Sequence, residues 1–404
     1  MLRKRFVYIA QYFSPEPYLK DALFIQDIKN KGWDPIVITS FPNYPKGRIF
    51  AGYKNRLLGV EQSGGVTVIR VLTYAYHGLN PFKRIFNYLV FSIFASLAVL
   101  KYGRSNNMYY ILQSSPFVIL IAWTIRLFKW KSKILLDIQD LFPENIRISG
   151  FIKFKVVLRF IDFCLNKFYY RSFDLFIVVS NGFKKILITK NVPEDKIETV
   201  FNWAMVEQDT LTQTTGVPVF DNCFMNIVYA GNIGVHQGLS KLVNGFNKLG
   251  QMPGNIKVHF FGDGTDFEVL KEALKDNSSV LFHGRISSEE VTKYLASADI
   301  LFLHLVKDPV YENIIPSKLQ TYIQIGRPIL AGLEGEAKAI VIENNLGETF
   351  EPENTDDFLT AISRISEYND ATRDAIAKKS HALYNSVFSR KAGVEKIDRF
   401  LSKF

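Results

Sequence analysis

The stretch 309-PVYENIIPSKLQTYIQIGRPIL-330 reads as an irregular loop, a short helix and the start of a strand. Pro316 stands at the first turn of that helix, Gly326 follows Ile325 where a C-cap belongs, and Pro328 stops the helix from continuing. A helix N-terminus leaves unpaired N–H groups and a partial positive charge, which suit an anion such as a diphosphate. Lys318 adds a full positive charge in the first turn. A capped surface helix with a solvated lysine fits the stretch equally well, and the surrounding chain decides between the two.

Upstream, one pattern repeats. Strand candidate 226–230 leads into 231-GNIGVHQGLSK-241, strand 257–261 into 262-GDGTDFEVLKEAL-274, strand 280–282 into 283-HGRISSEEVTKYL-295, and strand 299–304 into the quoted stretch. Strands alternating with helical patterns give an α/β, doubly wound sheet. Its glycine-rich loops fall after strands and before helices, where backbone N–H groups approach phosphates. Gly231, Gly234 and Gly238 do not form the GxGxxG fingerprint, and the chain holds no Walker loop. Each loop alone is a weak signal; several at one sheet edge are a stronger one.

The first half alternates in the same way, with strand candidates at 6–10, 35–39, 66–71, 108–112, 134–138 and 175–179. Ligands of such sheets bind beyond the C-terminal strand ends. The loops there are 11-QYFSPEPYLKD-21, 40-SFPNYPKGRIFAGYKN-55 and 139-QDLFPENI-146. Long ordered loops inside an α/β domain tend to be functional, although variable surface insertions read alike. The polar stretch 203–223 breaks the pattern and reads as an interdomain connection, and 369–404 reads as helical with a break near Ser389. The expected domains are 1–204, 205–385 and a C-terminal helix at 386–404.

A chain of 404 residues suits two domains rather than one. Two cysteines, without a CxxC or Cys/His cluster, argue for a reducing compartment, no disulfide framework and no structural zinc. No signal peptide is recognisable, and the longest apolar run, 88–100, falls short of the ~20 residues that span a bilayer, so no transmembrane helix is expected. Residues 1–200 carry a formal charge of +16 and residues 201–404 one of −6. That split suggests a polyanion for the first half, with nucleic acid and an anionic membrane surface as candidates. Patterns at 81–104 and 151–172 interleave lysine and arginine with aromatics, as interfacial helices do and as helices with a wide core face also do. No RNA-binding signature accompanies the aromatics, which argues against nucleic acid.

Several short motifs coincide with one family. They are 11-QYFSPE-16, 42-PNYPKG-47 with Tyr53, 140-DLFPE-144, 202-NW-203, 229-YAGNIG-234 with Gln237 and Gly238, 261-FGDG-264, 298-AD-299 and 316-PSKLQTY-322 with 326-GRPIL-330. In their order and spacing the chain resembles the retaining glycosyltransferases of family 4, in the branch that builds O-antigen, capsule or colanic-type polysaccharide. The resemblance covers essentially the whole chain and implies the GT-B fold, two facing Rossmann-like domains, with a C-terminal helix crossing back to the first. It implies a nucleotide-sugar donor, UDP-linked, in the second domain, held by Gly231, Asn232, Gly234, His236, Gln237, Gly262, Gly264, Arg285, Pro316, Ser317 and Thr321. It implies an acceptor in the first domain, a glycan on undecaprenyl diphosphate, met by Glu16, Asn43, Tyr44 and Gln139. Lys318, Asp140 and Glu144 are the implied catalytic residues. No metal or cofactor is implied, and the place is the cytoplasmic face of a bacterial inner membrane.

Three positions depart from the family pattern. Thr321 stands where the family has a glutamate; a shifted register gives Glu312 and Gln320 instead. Pro17-Tyr18-Leu19-Lys20 replaces a Gly-Gly pair after the first strand, and Gln139 replaces a histidine. Two other classes remain open on the sequence: a non-catalytic scaffold of the same fold, and a sugar-nucleotide epimerase, which would need its own cluster of acids and a histidine.

Overall fold

The computed structural model describes residues 5–78, 80–142, 163, 165–204, 220–221, 223–250, 252 and 255–404. It divides into two units, Met1–Val200 with Val394–Phe404, and Phe201–Gly393.

In the first unit the described strands form one sheet in the order β3-β4-β2-β1-β5-β6-β7-β8. They are β1 (Arg5–Ile9), β2 (Asp34–Ser40), β3 (Leu58–Ser63), β4 (Val66–Val71), β5 (Met108–Leu112), β6 (Lys133–Ile138), β7 (Leu175–Val178) and β8 (Ile197–Thr199). Every pairing is parallel except that of β3 with β4. Parallel sheets are covered on both faces, so their strands are continuous apolar runs; all of 108-MYYIL-112 is buried. The connecting helices are α1 (Ala22–Asn30), α2 (Pro81–Tyr102), α3 (Ile119–Phe128) and α4 (Asn181–Thr189). Asp21 caps α1 by accepting from Leu23 and Phe24 N–H. Sequence reading misses β3: its six residues, LGVEQS, are largely polar and sit at the sheet edge. What makes it a strand is the Gly64-Gly65 turn, both glycines at positive φ, which folds it back onto β4.

α2 outgrows the apolar run expected of it. It has 22 residues and, by length and composition alone, is long and apolar enough to cross a membrane. One face is nonetheless committed to the unit. Phe91, Ala95, Ala98 and Val99 are buried, and the buried Asn87 accepts from Gln11 Nε2 (3.0 Å) and Thr73 Oγ1 (3.2 Å) while donating to the Tyr76 carbonyl. Most of the basic, aromatic pattern at 151–172 lies outside the described residues; of it, 165–169 form one π-helical turn and 170–172 a 3-10 turn.

The second unit has a six-stranded parallel sheet, β11-β10-β9-β12-β13-β14. Its strands are β9 (Met225–Ala230), β10 (Ile256–Phe261), β11 (Val280–Gly284), β12 (Ile300–His304), β13 (Ile329–Gly332) and β14 (Gly347–Phe350). Its helices are α5 (Val243–Leu249), α6 (Phe267–Ala273), α7 (Ser288–Ser297), α8 (Ser317–Ile325), α9 (Gly335–Glu343), α10 (Thr355–Ser366) and α11 (Asp370–Leu383). Alternate strand residues feed two cores. Tyr229, Phe260 and Phe302 pack with Phe246 and Phe358 on one face; Val228, Phe261, Leu301 and Leu303 pack with Leu319 and Tyr322 on the other. After α11 comes a π-helical turn to Phe388, then Ser389, then α12 (Arg390–Leu401). The end of α12 belongs to the first unit, where Trp33 Nε1 donates to Asp398 (2.8 Å) and Lys396 pairs with Glu198 (3.2 Å).

Strand order reverses between β1 and β5 in one sheet and between β9 and β12 in the other. The crevice beyond those strand ends is where such sheets bind ligands.

Candidate functional site

At the switch point of the second unit, three loops close on one another through glycine. Gly231 and Gly262 sit at φ +130° and +133°, and Gly264 at +156°. A Cβ on Gly262 would stand 1.9 Å from the Gly231 carbonyl oxygen, and one on Gly264 2.3 Å from that of Ile233. Any side chain there drives the loops apart, so only glycine permits the backbone ladder Gly231 N–H to Phe261 O (2.8 Å), Ile233 N–H to Asp263 O (2.8 Å) and Asp266 N–H to Ile233 O (3.0 Å).

The Lys318 side chain lies across this platform. A Cβ on Gly231 would meet its Cε at 2.4 Å. Its Nζ stands 3.6 Å from the centroid of the Tyr229 ring and donates to the Tyr229 hydroxyl. That hydroxyl in turn donates to the Asn232 carbonyl (2.5 Å). Among the described residues no carboxylate pairs with Lys318. Burial without a counter-charge pushes its ammonium down to about 7. Pro316 occupies the N-cap of α8, one residue earlier than the sequence suggests, and no side chain caps the helix. Ser317 and Lys318 open α8, so its uncapped end and the depressed ammonium share one corner.

The other residues that the sequence assigns to the donor lie in or around this corner. Gln237 Oε1 accepts from Asn232 Nδ2 (2.8 Å) and Gly234 N–H (3.1 Å). The Gln237 carbonyl accepts from His304 Nδ1 (2.6 Å), whose Nε2 accepts from Glu353 N–H (3.1 Å), and burial keeps that imidazole neutral, its value pushed down to about 4. His236 Nδ1 meets the Tyr311 hydroxyl at 2.7 Å. Arg285 is exposed, 3.9 Å from Asp263. Thr321 points its hydroxyl back to Ser317 O (3.5 Å). Of the alternative register, Glu312 is exposed and Gln320 is buried.

In the first unit, Glu16, Asn43, Tyr44, Gln139 and Asp140 all lie beyond the strand ends, and Glu144 lies outside the described residues. Glu16 and Asn43 are buried and turned inward. The Glu16 carboxylate accepts Phe13 N–H (3.0 Å), Asn43 N–H (2.7 Å) and Tyr44 N–H (2.7 Å), riveting the loops after β1 and β2 together; burial holds its value above the usual range. Asn43 Nδ2 donates to Phe41 O (2.8 Å), and its Oδ1 meets His77 Nε2 (3.0 Å). Tyr44 is half-buried in a ring cluster with Tyr12, Tyr18 and His77. Arg70, buried in β4, braces the same loops through Ser40 O (3.1 Å) and Ser14 O (2.7 Å).

Sequence reading passes over the strongest polar feature of this edge. Lys20 and Asp137 are fully buried and paired, with the Tyr110 hydroxyl also donating to Asp137. Gln139 Nε2 donates to the other Asp137 oxygen at 2.6 Å, so the ion pair orients Gln139, leaving Asp140 exposed beside it. The only sequence signal was Lys20 itself, inside the loop that replaces the glycine pair; Asp137 is hidden in an apolar strand.

Comparison with known proteins bears on the fold and the family. Residues 225–367 match the family described as Glycosyl transferases group 1. The chain is 25% identical over 269 residues to the probable glycosyltransferase WbjE of Pseudomonas aeruginosa, an alignment spanning 63% of this chain and 65% of that relative's length. The structure is similar to an E. coli trehalose-6-phosphate protein bound with UDP-2-fluoro glucose (TM-score 0.74, 11% identity, 99% of each chain). It is also similar to the Anabaena protein HepE in complex with UDP (TM-score 0.63, 14% identity, 100% of each chain). The fold is GT-B, with two Rossmann-like units built on parallel sheets.

Proposed function

We propose that the protein is a glycosyltransferase that moves a sugar from a UDP-sugar to a lipid-linked glycan, with retention at the anomeric carbon. One observation carries this reading: a lysine with no carboxylate partner among the described residues lies over glycine loops at the uncapped start of α8, inside the segment that matches group 1 glycosyl transferases. The diphosphate of the donor is the counter-ion this corner lacks. The described likeness to proteins that hold UDP or a UDP-sugar supports the choice of donor.

Transfer breaks the bond between the anomeric carbon and the diphosphate oxygen and makes one from that carbon to an acceptor hydroxyl. Negative charge grows on the leaving diphosphate. Lys318 and the first N–H groups of α8 stabilise it, and an ammonium near neutrality also holds a proton that the diphosphate can draw on. The acceptor proton passes to the leaving phosphate on the same face of the sugar, so no strong enzymatic base is needed. Asp140, exposed beside the oriented Gln139, positions the acceptor in the first unit. No metal takes part in this scheme. The likeness to WbjE, a probable glycosyltransferase, supports sugar transfer; we place that transfer in surface polysaccharide assembly, on the inner face of a bacterial inner membrane, as the motif resemblance implies.

The test is UDP release from UDP-sugar with a purified undecaprenyl-diphosphate-linked acceptor, with and without EDTA. Release dependent on acceptor and insensitive to EDTA is the expected result. A second reading, a scaffold that binds UDP without turnover, is favoured by Thr321 standing where the resembled family has glutamate. Tight UDP binding with no release for any sugar donor would establish that reading instead.

A further inference from the structure

We propose that the outer face of α2 and α3 is a docking surface for an anionic lipid bilayer. This deepens the membrane location proposed above by naming the surface. β4 to β5 and β5 to β6 run in the same direction across the sheet. Right-handed crossovers therefore put α2 and α3 in one layer on one face of it. Asn107 N–H donates to Ser132 Oγ (3.3 Å), which reaches Arg104 O (3.4 Å), so the C-terminal ends of the two helices lie side by side.

Among the described residues, both helices leave an apolar stripe uncovered. On α2, Phe82, Ile85, Phe86, Ile93, Leu97 and Leu100 are exposed at helical spacing. On and just after α3, Trp123, Leu127, Phe128 and Trp130 follow, Leu127 and Trp130 at 73% and 70% exposure. Contiguous exposed apolar surface of this kind marks an interaction site.

The charges around it select the partner. From Gln62 to Leu136 the chain has nine basic residues and not one aspartate or glutamate; two of the nine, Arg70 and Arg126, pair with Glu61 and Asp174 and leave the stripe to the other seven. Lys101, Arg104, Lys131 and Lys133 are exposed at the shared C-terminal end, and Lys131 Nζ lies 5.2 Å from the Trp130 ring centroid. Lys83 and Arg84 flank the stripe at its other end. A protein partner would have to be acidic and apolar at once. A bilayer with anionic headgroups supplies both, with tryptophan at the headgroup level and lysine reaching phosphates. The contact is on the surface: α2 cannot cross the bilayer while Asn87 and Phe91 remain packed inside the unit.

The test uses the full chain and vesicles of phosphatidylcholine alone or with ~30% phosphatidylglycerol, at low and high salt. The parent should bind the anionic vesicles only, partly released by salt. In a Trp33→Phe/Trp203→Phe background, the emission of Trp123 and Trp130 should shift to the blue on binding. Lys101→Glu/Lys131→Glu/Lys133→Glu should weaken partition by ~10²-fold or more, at roughly tenfold per charge or somewhat less. Leu127→Ser, and more so Leu127→Ser with Trp130→Ser, should lower the salt-resistant part while thermal melting and UDP binding stay unchanged. Equal binding to neutral vesicles, an unshifted tryptophan emission, or variants that bind like the parent would overturn the proposal. So would parent dimers that Leu127→Ser dissociates without any vesicle binding, or membrane protein that resists alkaline carbonate extraction. UDP binding measured alongside reports on the transferase reading separately, since it depends on the other unit.

Discussion

Two lysines, one in each unit, are drawn away from water to different degrees and under opposite conditions. Lys20 is fully buried and paired, with Asp137 as its counter-ion and Tyr110 beside it. Lys318 is half-buried over an aromatic ring with no carboxylate partner among the described residues. A buried charge that has its counter-ion is stabilised in its charged form; desolvation without one disfavours that form and lowers the lysine's pKa. The same side chain thus holds a loop in the first unit and, in the proposed function, meets the donor diphosphate in the second.

The contrast predicts opposite mutational behaviour. Lys20→Met should cost ~3–5 kcal/mol of stability, because it strands the Asp137 carboxylate in the core. Lys20→Met/Asp137→Leu should recover much of that loss, which chemical denaturation of the two variants would show. If the single and double variants melted alike, the pair would not be a unit. Lys318→Met should leave folding intact but lower transfer by ~10²-fold, the scale of one lost transition-state contact. Near-parental turnover in the UDP-release assay would remove Lys318 from the site.

A smaller effect is read from pH. With its ammonium pushed down to about 7 in the empty site, Lys318 must regain a proton when a diphosphate binds. Above pH 7 the affinity for UDP should therefore fall with rising pH, by at most about tenfold per unit. Calorimetry in buffers of different ionisation heat should detect the proton uptake, and Lys318→Met should abolish it. The smallest effect is on the empty protein. Lys318 has a folded value below its unfolded one, so the folded state binds fewer protons between about pH 7 and 10.5. Stability should rise with pH across that window, weakened by solvent screening at a half-buried group. A melting temperature that fell with pH in the parent, relative to Lys318→Met, would contradict the desolvated lysine.

Much of the local structure of the glycine-loop corner was legible because its requirements are local. A strand, a glycine loop and a helix start lie within a few residues of one another, as in 229-YAGNIG-234 and 316-PSKLQTY-322. Even so, Tyr229 as the seat of Lys318 was not legible, since 89 residues separate the two. Glu16 and Asn43 show the opposite case. Their residue types suit a polar ligand, yet both are turned inward to close loops, a role set by neighbours from other strands.

The sequence by itself determined the alternation of apolar strands with amphipathic helices, the glycine-bearing loops, the charge split and the helix opened by Pro316, Ser317 and Lys318. These follow from periodicity, backbone freedom and capping, which act over a few residues. Tertiary structure decided the strand orders, and with them the switch points where loops converge. It decided that Lys20 meets Asp137 across 117 residues and that β3 becomes a strand at all. It also decided which stripes of α2 and α3 stay uncovered. Those outcomes depend on which surfaces exclude water from one another, and that is a property of the packed chain rather than of any segment of it.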